Sequence, residues 1–537
     1  MLSRKFVVAT MAALFATASA APALATPAPW NLKVLKERAL QGVEQRAKLG
    51  QEITDSVFSF GELGFQEFET SKYLTEILEK NGFKVQRNVA GLPTGWVATW
   101  GSGGPVIALG SDIDGIPKSS QKPGVAYRQP LVEGAPGHGE GHNSGQAVNI
   151  VAALALKEIM ERDRIPGTLM LWPGVAEELL AGKAFLVRDG VFNGVDAVIF
   201  THVGANLETS WGSPSGTGMV SVQYSFHGEA VHAAEAPWRG RSALDGVELM
   251  NAGWNMRREH LRPEQRSHYV ISNGGDQPNV VPPEATVWYF FREFDFANIR
   301  KNFEIGNTIA EAAAKMSDTT VTRKIVGTAA PGHFNRPMAE AAYANMRQVG
   351  LPQWTADEQA FAKAVQKLVG GKEEGLATRI TELKPPPEKK ESGGSDDIGD
   401  VSWTVPTITL IFPSNIPNLP GHNWSDAMAM ATPIAHKGVV AGAKVMAMTV
   451  LDLLLDSLLR QEANDYFEKV QMKDEKYVPM ITSEDKPQIQ LNANIMAEYR
   501  EKMRPFYYDR SRYSTYLDQL GVKFPTLEKT AAGASAP

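Results

Sequence analysis

Residues 134–145 read Gly134-Ala-Pro-Gly-His138-Gly-Glu140-Gly-His142-Asn-Ser-Gly145. Two histidines and a glutamate alternate with glycines, and an apolar helical pattern begins directly after them. This arrangement predicts a rigid loop that presents side chains at the N-terminus of a helix. Imidazole and carboxylate groups are common metal ligands. We therefore interpret the stretch as a metal site.

The composition narrows the class of protein. The chain has 537 residues, enough for two substantial cores, and 43% hydrophobic with 21% charged residues is typical of a globular protein. The net charge is -6 and no basic run occurs, so we expect no nucleic-acid partner and a small-molecule ligand instead. Cysteine is absent, so any metal must be held by His, Asp and Glu.

The N-terminus resembles an export signal. Arg4 and Lys5 precede an apolar run that ends near Phe15, and small residues follow it. We predict a signal peptide at residues 1–25 and a periplasmic or secreted protein. No later stretch reaches about 18 uninterrupted apolar residues, so no stable membrane insertion is expected.

The remaining pattern predicts an α/β fold with a discontinuous catalytic domain. Nearly all-apolar segments at 167–173, 197–202 and 405–413 are typical of central, mostly parallel strands, and 95–101 with 106–111 suggests a hairpin. Between them, a strand-helix-strand-strand-helix-strand pattern predicts an inserted ferredoxin-like α+β domain. The predicted divisions are 26–215 and 327–460 for the catalytic domain, 216–326 for the inserted lid or dimerisation domain, and 461–537 for a Tyr-rich C-terminal extension that packs on the catalytic domain.

Candidate chemical groups follow the predicted strands. A hydrolytic metal centre needs imidazoles and carboxylates around the ion, and a further carboxylate that takes a proton from water. Since the carboxyl ends of parallel strands meet at one edge of a sheet, we expect these groups to converge. They are Asp112, Asp114, Glu140, His142, Glu177, Glu178, His202 and His422.

The motifs in their order resemble those of the M20 family of metallo-amidohydrolases and peptidases, in particular its branch of aminobenzoyl-glutamate hydrolases and aminoacylase-like enzymes. The similarity covers roughly residues 45–455. The matching segments are Asp112-Ile-Asp114-Gly-Ile-Pro, His138-Gly-Glu-Gly-His142-Asn, Ala176-Glu-Glu, the segment around His232, Gly274-Gly-Asp-Gln-Pro-Asn279, Gly394-Ser-Asp-Asp397 and Pro420-Gly-His422.

This resemblance implies roles for individual residues. Glu177 is implied as the general base, and Asp114 as a carboxylate that orients ligands. His232 and Asn279 are implied to bind the oxyanion or the substrate's carboxylate, with His232 reaching the other subunit of a homodimer. The implied cofactor is one or two divalent ions (Zn, Mn or Co), and the implied ligands are Glu140, His142, Glu178, His202 and His422.

Three points stay open in the sequence. Glu140 stands where this branch usually has cysteine; a carboxylate is harder than a thiolate and can bridge two ions, so the number and identity of the metals are undecided. Asp112 lies where related two-metal enzymes carry a histidine ligand. Arg292 could clamp a substrate carboxylate or pair with a surface acid.

We expect a hydrolase that cleaves an amide bond in an N-acyl amino acid, an aminobenzoyl-glutamate-like compound or a small peptide. Two alternatives remain. One is a dipeptidase or other exopeptidase of the same fold, and the other is a catalytically silent binding protein that uses the same cleft.

Overall fold

The computed structural model describes residues 30–214, 216–390 and 393–528. The predicted signal peptide, residues 1–25, lies outside them. The described residues from Leu32 onward form one unit, and every helix and strand described belongs to it. The strands are β1 Lys84–Arg87, β2 Trp96–Ser102, β3 Val106–Asp112, β4 Gly167–Gly174, β5 Ala197–Gly204, β6 Gly218–His227, β7 Arg266–Asn273, β8 Glu284–Glu293, β9 Thr320–Ala329 and β10 Thr407–Pro413.

The helices surround two sheets. They are α1 Leu32–Glu44, α2 Ala47–Phe60, α3 Phe68–Lys80, α4 Gly145–Asp163, α5 Lys183–Arg188, α6 Ala243–Arg257, α7 Phe296–Met316, α8 Arg336–Val349, α9 Ala356–Leu368, α10 Ile398–Ser402, α11 Pro433–Leu455, α12 Ser457–Tyr466, α13 Ala493–Met503 and α14 Tyr516–Gln519.

The larger sheet has the strand order β1-β2-β4-β3-β5-β10. Strands β4, β3, β5 and β10 run parallel, and β1 and β2 form an antiparallel edge. Strands β3 and β4 are buried almost throughout, as expected for strands covered by helices on both faces. The predicted α/β class with a mostly parallel central sheet is confirmed.

The predicted hairpin of β2 and β3 is wrong, because β4 lies between them. Strand β2 is only half-buried and pairs antiparallel with β4, whereas β3 is buried on both faces and takes parallel partners on either side. The crossover through α4 brings β4 back beside β3. The choice of neighbours for the apolar strand β3 is therefore decided by its burial, and not by its proximity in sequence to β2.

Helix α11 is unusually long and apolar. Among the described helices it alone has the length and hydropathy of a membrane span, with a mean hydropathy of 1.8 over its most apolar window. That window is 83% buried inside the protein, against α1, α2, α4 and α8. It is therefore a core helix of the catalytic domain.

The smaller sheet, with the order β7-β8-β6-β9, is antiparallel throughout and carries α6 and α7. This is the predicted ferredoxin-like arrangement. Its own core lies between sheet and helices and includes Tyr224, Trp254, Tyr289 and Phe291, all less than 2% exposed.

The C-terminal extension, described to residue 528, packs on the catalytic domain as predicted. Tyr516 lies wholly in the main core, where its ring contacts Phe58 edge-on. The backbone of Thr526 pairs with that of Val125, on the segment that leads to the loop at 134–145.

Candidate metal centre and active site

The parallel strands bring the predicted site residues to one edge of the larger sheet. In register, Asp112 at the end of β3 lies beside Gly174 at the end of β4, and His202 in β5 lies beside Ile411 in β10. The loop at 134–145 closes over this edge and leads directly into α4. Gly145 starts that helix in close contact with β3, where a Cβ atom would lie 1.7 Å from the Ser111 hydroxyl oxygen. Only glycine allows this approach without displacement.

Glu140 lies among three histidines. Its Oε2 atom is 3.4 Å from His142 Nε2 and 3.3 Å from His422 Nε2, and its Oε1 atom is 3.6 Å from His202 Nε2. Glu178 completes the group, with Oε2 3.4 Å from His422 Nδ1. The structure thus brings together all five predicted metal ligands.

These side chains fit a divalent cation. His142 Nε2, Glu140 Oε2 and Glu178 Oε1 are buried, yet have no hydrogen-bond partner within the protein. One ligand atom each from Glu140, His142, Glu177 and Glu178 lies within 4.8 Å of the others. Buried polar atoms are normally paired, so facing lone pairs without donors indicate a site built for an ion.

Asp114 orients two members of the group. Its backbone carbonyl is 3.1 Å from His142 Nδ1, and its Oδ2 atom accepts a 3.1 Å hydrogen bond from the backbone N–H of Glu178. This leaves Nε2 of His142 directed at the cluster. Such contacts fix the tautomer and orientation of a ligand histidine.

A sharp turn separates Glu177 from Glu178. Ala176 just before them adopts a left-handed backbone with φ 53°, and a short 3₁₀ turn follows at Glu177–Leu179. Glu67 stabilises this turn by accepting a 2.9 Å hydrogen bond from the Ala176 N–H. Glu178 can therefore contact the histidines, while Glu177 Oε2 stands 4.0 Å from His142 Nε2.

The environment of Glu177 suits proton transfer. Burial raises the pKa of Glu177 well above its ordinary value, and the nearby carboxylates of Asp112 and Asp396 add to the increase. Burial has the same effect on the pKa of Glu140, but there the surrounding histidines outweigh it and hold the pKa well below its ordinary value. The two carboxylates thus have opposite tendencies, one to accept a proton and one to remain charged.

Asp112 forms an ion pair that was not anticipated. Its Oδ1 atom is 2.6 Å from the ammonium of Lys183, which also pairs with Asp397, and all three side chains are fully buried. Burial alone would lower the pKa of Lys183, but Asp112 and Asp397 outweigh it and hold the pKa well above its ordinary value. Its other oxygen, Oδ2, is buried without a hydrogen-bond partner, and Asp112 offers a ligand atom within 4.8 Å of ligand atoms of His142 and His202. Asp112 therefore joins the ligand cluster to a buried charge network.

Three further residues of the sequence motifs, His138, His232 and Asn279, lie apart from the cluster. His138 is buried with Nε2 3.1 Å from the Val57 carbonyl, and burial lowers its pKa to about 3, which agrees with a structural histidine. His232 and Asn279 are exposed on the lid, where the Ala233 N–H donates a 2.9 Å hydrogen bond to the Asn279 carbonyl. Neither lines the cavity beside the cluster, so their roles remain predictions.

That cavity has a volume of about 720 Å³ and separates the catalytic domain from the lid sheet. One wall is formed by four of the predicted ligands, which are Glu140, Glu178, His202 and His422. Arg266, His268 and Arg292 from β7 and β8 line the cavity as well. Arg292 donates a 2.6 Å hydrogen bond to the Ser395 hydroxyl, and its Nε atom is buried without a partner. Arg266 and His268 were not foreseen, because strand alternation does not reveal which face meets the other domain.

Comparisons with known proteins agree with this geometry. Residues 216–318 match the model of the M20 peptidase dimerisation domain. The chain is 35% identical over 445 residues to a p-aminobenzoyl-glutamate hydrolase subunit of Escherichia coli, covering 78% of this chain and 92% of that protein. It is 26% identical to the human Xaa-Arg dipeptidase, covering 83% and 95% of the two chains.

The fold is also shared with a solved structure. The aminobenzoyl-glutamate utilization protein from Klebsiella pneumoniae superimposes with a TM-score of 0.53 at 17% identity, over 77% of this chain and 97% of that one. At this identity the likeness concerns the fold. The Escherichia coli relative and the matched dimerisation domain show that the chain belongs to the M20 family of hydrolases that act on amide bonds.

Proposed function

We propose that this protein is an exported, metal-dependent amidohydrolase that cleaves an amide bond next to a carboxylate-bearing group, as in p-aminobenzoyl-glutamate or an N-acyl amino acid. The observation that carries the proposal is the convergence of Glu140, His142, Glu178, His202 and His422 beside Glu177, where all of these except His142 line one cavity.

The ligand residues would hold one or two divalent ions. Such ions supply Lewis-acid polarisation of the amide carbonyl and lower the pKa of water. Glu140 lies within 3.6 Å of three histidines and would hold the ion or ions together with them. A set of carboxylates and imidazoles without thiolate favours Zn, Mn or Co.

The protein's own groups supply proton transfer. Glu177, buried and with a raised pKa, takes the proton from the attacking water and returns it to the leaving amine. The turn at Ala176 keeps the Glu177 carboxylate in the cavity, while Glu178 contacts the histidines. Asp114 keeps His142 in one orientation.

The far side of the cavity favours an anionic substrate. Arg266 and Arg292 are adjacent partners across β7 and β8, and both line the cavity. A guanidinium fork binds carboxylates in a bidentate manner. This basic wall favours a substrate whose leaving part resembles glutamate. It disfavours an Xaa-Arg dipeptide, because the side chain of that dipeptide is cationic. The basic wall is therefore the observation that argues against the dipeptidase alternative.

A homodimer and export belong to the same proposal. The family model matched at residues 216–318 is that of a dimerisation domain, and His232 on this domain is exposed. The basic and apolar start of the chain supports export.

A substrate panel tests the proposal. The full-length protein, loaded in turn with Zn, Mn or Co, is assayed with p-aminobenzoyl-glutamate, N-acyl amino acids and dipeptides, including Xaa-Arg dipeptides. We expect hydrolysis that a chelator abolishes and that prefers carboxylate-rich substrates. Preference for Xaa-Arg dipeptides would refute the substrate class, and metal binding without any hydrolysis would favour the silent binding protein.

A further inference from the structure

A buried ion pair links the C-terminal extension to the active-site edge of the catalytic domain. Glu62 is fully buried, and its two oxygens accept hydrogen bonds of 3.1 Å and 2.9 Å from the N–H groups of Glu69 and Thr70. Arg500 in α13 forms a close ion pair with the same carboxylate. It also donates a 2.8 Å hydrogen bond to the carbonyl of Gln66.

The segment that Arg500 holds, residues 61–67, is called here the Glu62 loop. It contacts the site at two places. The Glu62 carbonyl accepts a 2.7 Å hydrogen bond from the N–H of Gly115, next to Asp114. At its other end, Glu67 accepts the hydrogen bond from the N–H of Ala176, next to Glu177.

The contact with Ala176 is close as well as polar. A Cβ atom on Gly64 would lie 2.8 Å from Ala176 Cα, so the Glu62 loop and the turn before Glu177 lie backbone against backbone. A non-glycine residue in the left-handed region is strained and persists only where its surroundings hold it. The Glu62 loop is a large part of those surroundings.

We propose that Arg500 is a positioning residue for Glu177. It neutralises Glu62 and ties down the Glu62 loop, which in turn holds the left-handed turn that directs Glu177 and the segment that carries Asp114. Arg500 itself lines no part of the cavity and acts only through these contacts. The proposal rests on the hydrolase activity proposed above.

The extension has other attachments, so loss of Arg500 need not release it. The N–H of Tyr508 donates to the Ser59 hydroxyl at 3.0 Å, and the N–H of Tyr516 donates to Asp55 at 2.9 Å. Tyr516 is also fully buried. We therefore expect an Arg500 variant to fold with the extension in place.

The kinetic test uses Arg500→Met in the full-length, metal-loaded protein, with Lys502→Met as the matched control. Lys502 lies in the same helix but is exposed and pairs with Glu498. With p-aminobenzoyl-glutamate as probe, we expect kcat to fall about tenfold or more at unchanged metal content and similar KM, because small displacements of a catalytic group cost large factors in rate. Arg500→Lys should recover part of the loss, since it restores the charge but not the second hydrogen bond.

Hydrogen–deuterium exchange tests the same inference without a substrate. In Arg500→Met, amides at 113–116 and 174–180 should exchange about tenfold faster, with those of the lid sheet unchanged. Unchanged exchange at 174–180 would overturn the positioning role, and so would a loss of kcat no larger than that of Lys502→Met. If the wild-type protein hydrolyses none of the panel, the proposed function fails and the exchange result alone decides the role of Arg500.

Discussion

Replacing Lys183 by methionine is expected to destabilise the protein severely. The lysine ammonium lies 2.6 Å from Asp112 and also pairs with Asp397, and all three side chains are fully buried. Methionine keeps much of the side-chain volume but leaves two acids in the interior without their cation. Breaking a buried pair from one side costs about 3–5 kcal/mol, because the remaining charge stays desolvated.

The assay is urea-induced unfolding of the metal-loaded protein followed by tryptophan fluorescence. Lys469→Met is the control, since Lys469 is 68% exposed and its pair with Asp465 is a surface contact, worth about 0–1 kcal/mol. Asp112→Asn combined with Lys183→Met should recover part of the lost stability, because it removes one of the stranded charges. A loss below about 1 kcal/mol for Lys183→Met would show that the charges of this network are not tightly coupled.

Three further predictions concern metal binding, the turn at Ala176 and pH. Glu140→Ala should weaken metal binding at least tenfold, as measured by competition with a chelator, whereas Glu140→Cys should retain binding with a preference for softer ions. If the alanine variant bound the metal as tightly as the wild-type protein, Glu140 would not be a ligand. In Gly64→Ala the new Cβ would lie 2.8 Å from Ala176 Cα. This variant should have a reduced kcat with little change in thermal stability, and an unchanged kcat would contradict the prediction. Burial raises the pKa of Asp400 to about 7, so the stability contributed by the protonated side chain is lost as pH rises from about 4 to 7. Asp400→Asn should remove up to about 4 kcal/mol of this pH dependence of the free energy of unfolding. Parallel pH curves for the variant and the wild-type protein would contradict this.

Local sequence patterns were sufficient for the strands that build the site. The apolar segments of β4, β5 and β10 and the acids and histidines next to them indicate one sheet edge, and the structure brings Glu140, His142, Glu178, His202 and His422 together there. The order of the strands in the sheet was harder to predict from the sequence. The hairpin of β2 and β3 follows from their proximity in sequence, but burial places β4 between them.

The supporting contacts could not be predicted, because they join distant parts of the chain. Arg500 and Glu62 are separated by 438 residues, and Lys183 and Asp397 by 214. Nothing in the local pattern around Glu62, Glu67 or Lys183 marks these residues as buried partners. Only the fold shows that they surround the turn at Ala176 and the end of β3.

The role of Glu177 as general base is tested most directly by comparing the wild-type protein with Glu177→Ala. Metal content and hydrolysis of the best substrate in the panel are measured on the same samples. We expect the variant to keep its metal, because Glu140, His142, Glu178, His202 and His422 remain. Its kcat should fall at least about 10²-fold, which is the contribution of a general base. Retained turnover in a fully metal-loaded Glu177→Ala protein would contradict the assignment of Glu177 as the base and the mechanism built on it.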